Sequence, residues 1–306
     1  MVNVHMARVL VSGASGLVGS ALVPAFRSAG AHVVRLTRPG AAAGNGGDER
    51  IPWDPSRPLA PEAVSGFDAV VHLAGESIVG RWTEAKKARI RESRIPATTN
   101  LAKALAAAKD RPAVFLSASA IGYYGNRADE VLTEEAAPGT GFAADLAREW
   151  EAATTAAAQA GIRTVQIRTG IVLATNGGAL PKMLPAFKLG VGGKVGSGQQ
   201  WMSWVDLQDV VGAIHHLLRS DLVNGPVNVV APRPVTNAEF TKILAGVLSR
   251  PAIFPMPAFA ARLAFGQMAD ELLLASQRVE PMRLIESGYP FRFGELRASL
   301  EHHLKK

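Results

Sequence analysis

Residues 8–19 of the chain read RVLVSGASGLVG. The apolar run Arg8–Ser12 predicts a buried strand, and the residues from about Leu17 to Ala29 predict a helix. Gly30 follows at the position where a glycine commonly ends a helix. A second apolar run, His32–Leu36, predicts another strand. This strand–turn–helix–strand order is typical of an α/β domain that binds a nucleotide cofactor.

Three glycines lie in the turn between the first strand and the helix, in the spacing Gly-x-x-Gly-x-x-Gly. Gly13 permits the tight turn, Gly16 lets the backbone approach a diphosphate, and Gly19 allows the helix to pack closely on the strand. The helix N-terminus offers unpaired N–H groups and a partial positive charge to the phosphates. The residues predicted to contact the cofactor here are Gly13, Ser15, Gly16, Leu17 and Val18.

The end of the second strand indicates which dinucleotide binds. An acidic residue at this place binds the ribose 2′-hydroxyl of NAD, whereas a basic residue suits the 2′-phosphate of NADP. Residues 35–39 read RLTRP, and no acidic residue follows until Asp48. Arg38 can form a bidentate contact with a phosphate and stack on the adenine. We therefore predict NADP(H) as the cofactor, with Arg38 as a binding residue.

Apolar runs and helical segments alternate through the first 170 residues. Further strands are predicted at Asp68–Leu73, Ala113–Ser117 and Thr164–Arg168, and helices at Thr98–Ala108 and Asp145–Ala160. Continuous apolar strands separated by helices indicate a parallel sheet that is covered on both faces. We predict an α/β fold, a Rossmann-type doubly wound parallel sheet with a smaller C-terminal substrate lobe.

The C-terminal part of the chain differs in composition from the first 170 residues. A loop-rich region punctuated by glycines is followed by two predicted helices, Asn237–Leu248 and Ala258–Leu274. We therefore assign residues 1–170, together with about 205–231, to an NADP(H)-binding Rossmann domain, and residues 171–204 and 232–306 to the smaller C-terminal lobe.

The composition excludes several kinds of site and partner. The chain has 306 residues, of which 48% are hydrophobic and 19% charged, and it has no cysteine. Disulfides, thiolate metal sites, iron–sulfur clusters and a cysteine nucleophile are therefore excluded. The net charge is +7, but the basic residues are dispersed and only three tyrosines are present, so nucleic-acid binding is not predicted. With no apolar run of about 20 residues and no signal pattern, we expect a cytoplasmic protein without a membrane partner, either a monomer or a homodimer.

Several motifs occur in a fixed order along the chain. They are GASGLVG (13–19), DAVVHLAG (68–75), VFLSASAIGYYG (114–125), RTGIVL (168–173), GQQWMSWVD (198–206) and SQRVEP (276–281). With these motifs the chain resembles the extended short-chain dehydrogenase/reductase superfamily. Within it, the chain is most similar to an atypical, epimerase-like family that includes bacterial nucleoside-diphosphate sugar epimerase homologues. The resemblance covers nearly the whole chain, and the tail is similar to that family's dedicated C-terminal domain.

The resemblance also implies a path for the cofactor. The loop after the fourth strand would pass beside the adenosine and the ribose, and the end of the fifth strand would lie beside the nicotinamide. The segment after Arg168 would close over the nicotinamide end. The residues implied as cofactor contacts are Leu73, Ala74, Gly75, Ser117 and Arg168.

The usual acid/base pair of the superfamily is missing. In the superfamily a tyrosine lies four residues before a lysine, on the helix after the fifth strand, and the lysine lowers the pKa of the tyrosine towards the working pH. Residues 142–146 correspond to this place and read FAADL, with neither side chain. The predicted catalytic residues are therefore Ser119, which is the superfamily serine by position, and Tyr123 or Tyr124, which could supply the proton from the adjoining loop.

Two other accounts of the chemistry stay open. Glu76 or Lys86 could supply the proton, or the chain could bind NADP(H) without fast chemistry, as a sensor or scaffold. A group of charged and aromatic residues after the fourth strand is predicted to contact the substrate: Glu76, Arg81 and Trp82. Arg81 and Arg94 could hold an anionic group of the substrate, such as a phosphate or a carboxylate.

The histidines do not indicate a metal site. His72 lies within an apolar strand and is predicted to be a hydrogen-bonded core residue, and the adjacent His215 and His216 point about 100° apart on a helix. The sequence therefore predicts an NADP(H)-dependent oxidoreductase or epimerase that transfers hydride to or from a small carbonyl, alcohol or sugar-nucleotide-like substrate. The alternative is an NADP(H)-binding regulator without catalysis.

Overall fold

The structure, a computed structural model, describes residues 7–40 and 49–305. The strands are β1 (Arg8–Ser12), β2 (His32–Thr37), β3 (Glu49–Pro52), β4 (Ala69–His72), β5 (Val114–Ala120), β6 (Val131–Leu132), β7 (Arg163–Thr169), β8 (Ile171–Leu173), β9 (Trp201–Met202), β10 (Trp204–Asp206), β11 (Gly225–Val229), β12 (Val235–Thr236) and β13 (Arg278–Val279).

The helices are α1 (Leu17–Ser28), α2 (Glu84–Glu92), α3 (Ile95–Ala107), α4 (Phe142–Ala152), α5 (Thr155–Gln159), α6 (Leu180–Lys188), α7 (Leu207–Arg219), α8 (Asn237–Leu248), α9 (Ala258–Phe265), α10 (Met282–Glu286) and α11 (Leu296–Leu304). Two 3₁₀ turns, Pro61–Val64 and Ile121–Tyr124, and one π-helical turn, Ala269–Leu273, complete the regular structure of the described residues. No helix in the described ranges is long and apolar enough to cross a membrane.

Seven strands form one parallel sheet in the order β11-β7-β5-β4-β1-β2-β3. The chain builds one half of this sheet from β1 through β2 to β3 and then crosses back to build the other half from β4. The strand order therefore reverses between β1 and β4. In doubly wound sheets, ligands bind in the crevice at the carboxyl ends of the strands at such a reversal.

Both faces of the sheet are buried. Apolar residues of the strands pack on one face against α1 and α7, where Phe26 and Leu217 have no exposed surface. On the other face they pack against α3 and α5, where Leu101 and Ala157 are equally buried. This arrangement confirms the predicted α/β fold with a Rossmann-type, doubly wound parallel sheet.

A third apolar cluster gathers the C-terminal half of the chain. It combines residues from α6, α8 and α11 with the central Trp204 of β10, which has no exposed surface. The short sheets β8–β10 and β9–β12 lie beside it. The C-terminal residues therefore have a core of their own beside the sheet.

Several predicted elements differ from the structure in their extent. The helix predicted at Asp145–Ala160 is two helices, because the hydroxyls of Thr154 and Thr155 turn back and donate to the carbonyls of Glu151 and Ala152. The helix predicted at Ala258–Leu274 ends at Gly266, whose φ of +60° is outside the helical region. The strand predicted to end at Ser117 continues to Ala120, so Ser119 lies within β5 rather than after it.

Candidate functional site

The glycine-rich turn joins β1 to α1 at the reversal of strand order. Gly13 has a φ of +72°, and a Cβ at this position would lie 2.6 Å from the carbonyl carbon of Leu73. At Gly19 a Cβ would lie 2.3 Å from the carbonyl oxygen of Gly13. Real Cβ atoms do not approach so closely. Glycine is therefore needed at both positions, because α1 packs directly on the turn and the turn packs directly on the end of β4.

The start of α1 is open to a ligand. Gly16 is the N-cap residue, no side chain caps the helix, and the first turn has no acidic residue. Ser15 and Gly16 are exposed, whereas Leu17 and Val18 are partly buried. The uncapped N–H groups carry a partial positive charge at the mouth of the crevice, so these residues fit the diphosphate of a dinucleotide.

Two further segments with predicted cofactor contacts lie at the same edge of the sheet. The backbone of Leu73 and Ala74 contacts Gly13, and Gly75 beyond it is exposed. Arg38 directly follows β2, the strand that pairs with β1, and it is exposed. Because the carboxyl ends of parallel strands meet at one edge of a sheet, both lie on the side of the glycine-rich turn.

Ser119 and Arg168 are joined by a residue that the sequence did not single out. They are cross-strand neighbours on β5 and β7. The Ser119 hydroxyl donates to Oε1 of Glu151 at 2.7 Å, and the Arg168 guanidinium donates to both carboxylate oxygens at 2.7 and 2.8 Å. Burial alone lowers the pKa of Arg168, but the hydrogen bonds and charge of Glu151 raise it above its ordinary value. The guanidinium is therefore a permanent cation held in a buried ion pair.

The two predicted catalytic tyrosines differ in their surroundings. Tyr124 has no exposed surface, and its hydroxyl donates to Oδ1 of Asn228 at 2.7 Å and accepts from Arg168 at 3.0 Å. Burial raises the pKa of Tyr124 to about 12. Tyr123 is half-buried, and its ring lies 3.5 Å from the guanidinium carbon of Arg168. Among the described residues, the Tyr123 hydroxyl has no hydrogen-bond partner.

Two predicted cofactor contacts are inaccessible in this structure. Ser117 has no exposed surface, and Arg168 is only 2% exposed. All three guanidinium nitrogens of Arg168 already donate to protein acceptors. A direct contact between either residue and a cofactor would therefore require the ends of β5 and β7 to rearrange.

The predicted substrate residues do not form one cluster. The Glu76 carboxylate accepts from Nζ of Lys86 at 2.7 Å, and this hydrogen bond lowers the pKa of Glu76. Arg81 is exposed and donates to the carbonyl of Leu263 at 2.7 Å. Trp82 is only 7% exposed and packs in an apolar cluster instead of facing solvent. Glu76 and Arg81 are therefore accessible, and Trp82 is not.

Several residues of this region were missed in the sequence. Glu134 is buried and accepts from the backbone N–H of Asn228 at 3.0 Å, and burial raises its pKa. Gln277 donates to the carbonyls of Ile121 and Gly125. Acidic and amide side chains in helices and loops usually face solvent, and no local pattern marks these as buried. Only the three-dimensional contacts reveal them.

His72 is a hydrogen-bonded core residue, as predicted. Its Nδ1 lies 2.6 Å from the Ser12 hydroxyl and its Nε2 lies 3.0 Å from the Thr98 hydroxyl. Trp150 also donates to Thr98, at 2.9 Å. Residues 7–40 and 49–305 contain no group of three or more acidic or histidine side chains that could hold a metal ion.

Comparison with known sequences matches most of the chain. The family described as "NAD dependent epimerase/dehydratase family" matches residues 9–230, and a "Domain of unknown function (DUF1731)" matches residues 256–303. The chain is 43% identical over 294 residues to an epimerase family protein of Mycobacterium bovis, with 95% of this chain and 96% of that protein covered. It is 36% identical to the human epimerase family protein SDR39U1, with 96% and 98% covered.

Solved structures agree with this match. The crystal structure of human SDR39U1 (isoform 2) with NADPH has a TM-score of 0.88 and 35% identity, and covers 98% of this chain and 99% of that one. The structure of the nucleoside-diphosphate sugar epimerase from Corynebacterium glutamicum has a TM-score of 0.81 and 36% identity. It covers 98% of this chain and 59% of that one.

Proposed function

Because the chain belongs to the NAD-dependent epimerase/dehydratase family, we propose that it is an NADP(H)-dependent oxidoreductase or epimerase. It would act on a small carbonyl or alcohol, or on a sugar-nucleotide-like substrate. One observation carries this proposal. The N-terminus of α1 has no side-chain cap, and it follows a turn in which Gly13 and Gly19 cannot be replaced by a residue with a Cβ. When bound, the nicotinamide supplies or accepts the hydride.

The preference for NADP(H) over NAD(H) is assigned to Arg38. This guanidinium is exposed at the end of β2, where residues 35–38 hold no carboxylate that could bind a ribose 2′-hydroxyl. A planar guanidinium can bind a 2′-phosphate through two nitrogens. The human relative SDR39U1, which is 35% identical in its solved structure, was crystallised with NADPH.

Proton transfer is assigned to Tyr123. Of the three predicted catalytic hydroxyls, those of Ser119 and Tyr124 donate to protein acceptors, whereas that of Tyr123 has no partner among the described residues. The Arg168 guanidinium on the ring of Tyr123 holds the ring in place. The Tyr123 hydroxyl would give its proton to a carbonyl oxygen in a reduction, and the deprotonated Tyr123 would take the proton of an alcohol in an oxidation.

The C-terminal residues, 171–204 and 232–306, are proposed to form the lobe that covers the substrate. They contact both segments that border the cleft beyond β4 and β5. The backbone N–H of Gly80 donates to the sulfur of Met268, and the Glu271 carboxylate accepts from the backbone N–H groups of Phe142 and Ala143. Arg81, which is tied to Leu263 of α9, would then contact an anionic group of the substrate.

Cofactor binding tests the first half of the proposal. We expect calorimetry to show that NADPH binds, and that NADH binds at least 10-fold more weakly because it lacks the 2′-phosphate. Arg38→Gln should abolish this preference and leave the NADH affinity unchanged. No heat of association with NADPH at millimolar ligand, in protein with an intact fold, would refute the proposal.

Turnover tests the second half. NADPH oxidation should be followed with a panel of ketones, and conversion of nucleotide sugars should be followed by chromatography. Tyr123→Phe should then lower kcat by about 10²–10⁴-fold, because it removes only the hydroxyl. Tyr289→Phe is the matched control, since the Tyr289 hydroxyl donates to the carbonyl and Oδ1 of Asp209 and is not among the predicted site residues, and this variant should keep its kcat.

A second candidate function is an NADP(H)-binding regulator without catalysis. It is favoured by the loss of the Tyr-x-x-x-Lys pair and by the engagement of the Ser119 and Tyr124 hydroxyls in internal hydrogen bonds. Tight NADPH binding with no turnover of any substrate, and no effect of Tyr123→Phe on a cellular phenotype, would support the regulator and contradict the enzyme.

A further inference from the structure

Arg94 is a buried arginine without a carboxylate partner. It lies between α2 and α3 and is only 8% exposed. Its Nη1 donates to the carbonyl of Ile90 at 3.1 Å and contacts the Ser93 hydroxyl at 3.3 Å. No described carboxylate forms an ion pair with it, and no described acceptor is bonded to its Nε or Nη2. A buried cation without a hydrogen-bonded ion-pair partner is costly and is seldom retained for stability alone.

The guanidinium of Arg94 packs against Gly75, in the loop that follows β4. A Cβ built on Gly75 would lie 3.1 Å from the guanidinium carbon, 3.2 Å from Nη2 and 3.4 Å from Nε. Gly75 is exposed and follows the two residues whose backbone packs on Gly13. The guanidinium is therefore next to the loop that borders the glycine-rich turn, and its Nε and Nη2 are not among the fully buried polar atoms that lack a partner.

Contacts with Trp150 and Ser93 hold the Arg94 guanidinium in position. It lies 4.9 Å over the ring of Trp150, and the indole N–H of Trp150 donates to Thr98, which also bonds His72. Ser93 accepts from the backbone N–H of Glu76 and so joins the start of α3 to the loop after β4. Burial lowers the pKa of Arg94 to about 10, opposed by the charge of Glu76, so the group stays a cation at neutral pH.

The glycine-rich turn itself supplies no side-chain cation to a diphosphate. The start of α1 supplies only neutral N–H groups, and its first turn holds no basic residue. Lys86 is paired with Glu76. An anion at the glycine-rich turn would therefore gain a full positive charge from Arg94. It would in turn supply the ion-pair partner that this buried side chain lacks among the described residues.

We propose that Arg94 is an anion-binding residue of the cleft, which binds a phosphate oxygen of a diphosphate through its free Nε–Nη2 edge beside Gly75. The diphosphate belongs either to the dinucleotide or to a nucleotide-like substrate, so the inference rests on the proposed function and adds a binding residue to it. The role of Arg94 differs from that of Arg38, which is assigned to the 2′-phosphate.

The test uses the full chain and two probes, NADPH and UDP, each titrated alone by calorimetry. Arg94→Met removes the charge and keeps the volume of the chain, and Arg94→Lys keeps the charge without the two-nitrogen edge. Arg219→Met is the matched control, because Arg219 is an exposed residue at the C-terminal end of α7. We expect Arg94→Met to weaken at least one probe by 10-fold or more, Arg94→Lys to weaken it less, and Arg219→Met to leave both unchanged.

The pattern of outcomes identifies the source of the diphosphate. Loss of NADPH affinity assigns the cofactor, and loss of UDP affinity alone assigns a nucleotide substrate. Wild-type affinity of Arg94→Met for both probes overturns the inference and leaves the proposed function intact. If the wild type binds UDP in a way that depends on Arg94 but does not bind NADPH, the inference is supported and the proposed function is refuted. If the wild type binds neither probe, both are refuted. If Arg94→Met fails to fold, the affinities of Arg94→Lys and Gly75→Ala for the two probes are compared with those of the wild type by the same criteria. Gly75→Ala would displace the guanidinium, because the added Cβ would lie too close to it.

Discussion

At the residue scale, His72 makes the stability of the protein depend on pH. It is fully buried, and burial lowers its pKa to about 4, from about 6.5 in an unfolded chain. Between these two values the unfolded chain binds a proton that the folded protein excludes. Stability from this group is therefore complete above pH 6.5 and is lost as the pH falls towards 4, by up to about 3 kcal/mol.

The change in stability with pH is measured by urea unfolding at several values between pH 7 and pH 4.5. His72→Asn should flatten the decline, because the variant has no group that titrates at this place. His302→Asn is the matched control, since His302 is exposed, and it should keep the wild-type decline. If the free energy of unfolding falls equally steeply with pH in His72→Asn and in the wild type, His72 is not the source of the pH dependence.

The two adjacent tyrosines should differ in their contribution to stability. Tyr124→Phe leaves Oδ1 of Asn228 and Nη1 of Arg168 without the hydroxyl that they contact in a buried site, and we expect a loss of about 1–3 kcal/mol. Tyr123→Phe removes a hydroxyl without a described partner, and the free energy of unfolding should change by less than about 0.5 kcal/mol. Equal losses in the two variants would show that the Tyr123 hydroxyl also has a structural partner.

At the element scale, the Glu151–Arg168 ion pair joins α4 to β7. The two side chains are 14% and 3% exposed. Glu151→Gln should leave the Arg168 charge uncompensated in a buried place and cost about 3–5 kcal/mol. Glu149→Gln, two residues earlier on α4, removes an exposed partner of Arg91 and should cost less than about 1 kcal/mol. Chemical denaturation of both variants measures the loss in the free energy of unfolding. Similar losses in the two variants would contradict the assignment of Glu151 as the buried partner of Arg168.

Elements with a strong pattern could be predicted from the sequence, and elements without one could not. The strands β1, β2 and β4 contain consecutive apolar residues, and β7 has the alternating Val165 and Ile167. Helix α8 matches its predicted bounds, Asn237–Leu248, because a capping box at Thr236 marks its start. In contrast, α2 reads EAKKARIRE and buries only Ile90, so its sequence has no apolar face to detect. Its first turn is instead stabilised by Thr83, which accepts from the backbone of Lys86.

At the scale of the whole molecule, the site combines residues that are far apart in the sequence. The glycine-rich turn could be predicted because its chemistry depends on local spacing. The cluster around Arg168 could not, because it depends on the register of β5 against β7 and on the way α4 packs across them. The sequence therefore identified Ser119, Tyr123 and Tyr124 as candidate hydroxyls. It did not reveal that two of these hydroxyls donate to Glu151 and Asn228.

The C-terminal residues also position the turn that carries Tyr123. The side-chain amide of Gln277 donates to the carbonyls of Ile121 and Gly125, at the two ends of this 3₁₀ turn, at 3.2 and 3.1 Å. The backbone of Gln277 is held in turn by Trp201 and Ser203. The region matched by the domain of unknown function therefore helps to fix the turn that carries Tyr123, although it supplies no strand to the seven-stranded parallel sheet.

Gln277→Leu tests this coupling, because it keeps the approximate volume of the side chain and removes the amide donors. If Tyr123 transfers the proton, the displaced turn should lower kcat by about 10-fold or more, since small errors in the position of a reacting group are costly. The Kd for NADPH should stay within about 2-fold, because the glycine-rich turn does not contact Gln277. Gln159→Ala, at an exposed position of α5, should change neither quantity. In a Tyr123→Phe background, Gln277→Leu should cause no further loss of kcat, whereas additive losses would show that Gln277 acts on another part of the site.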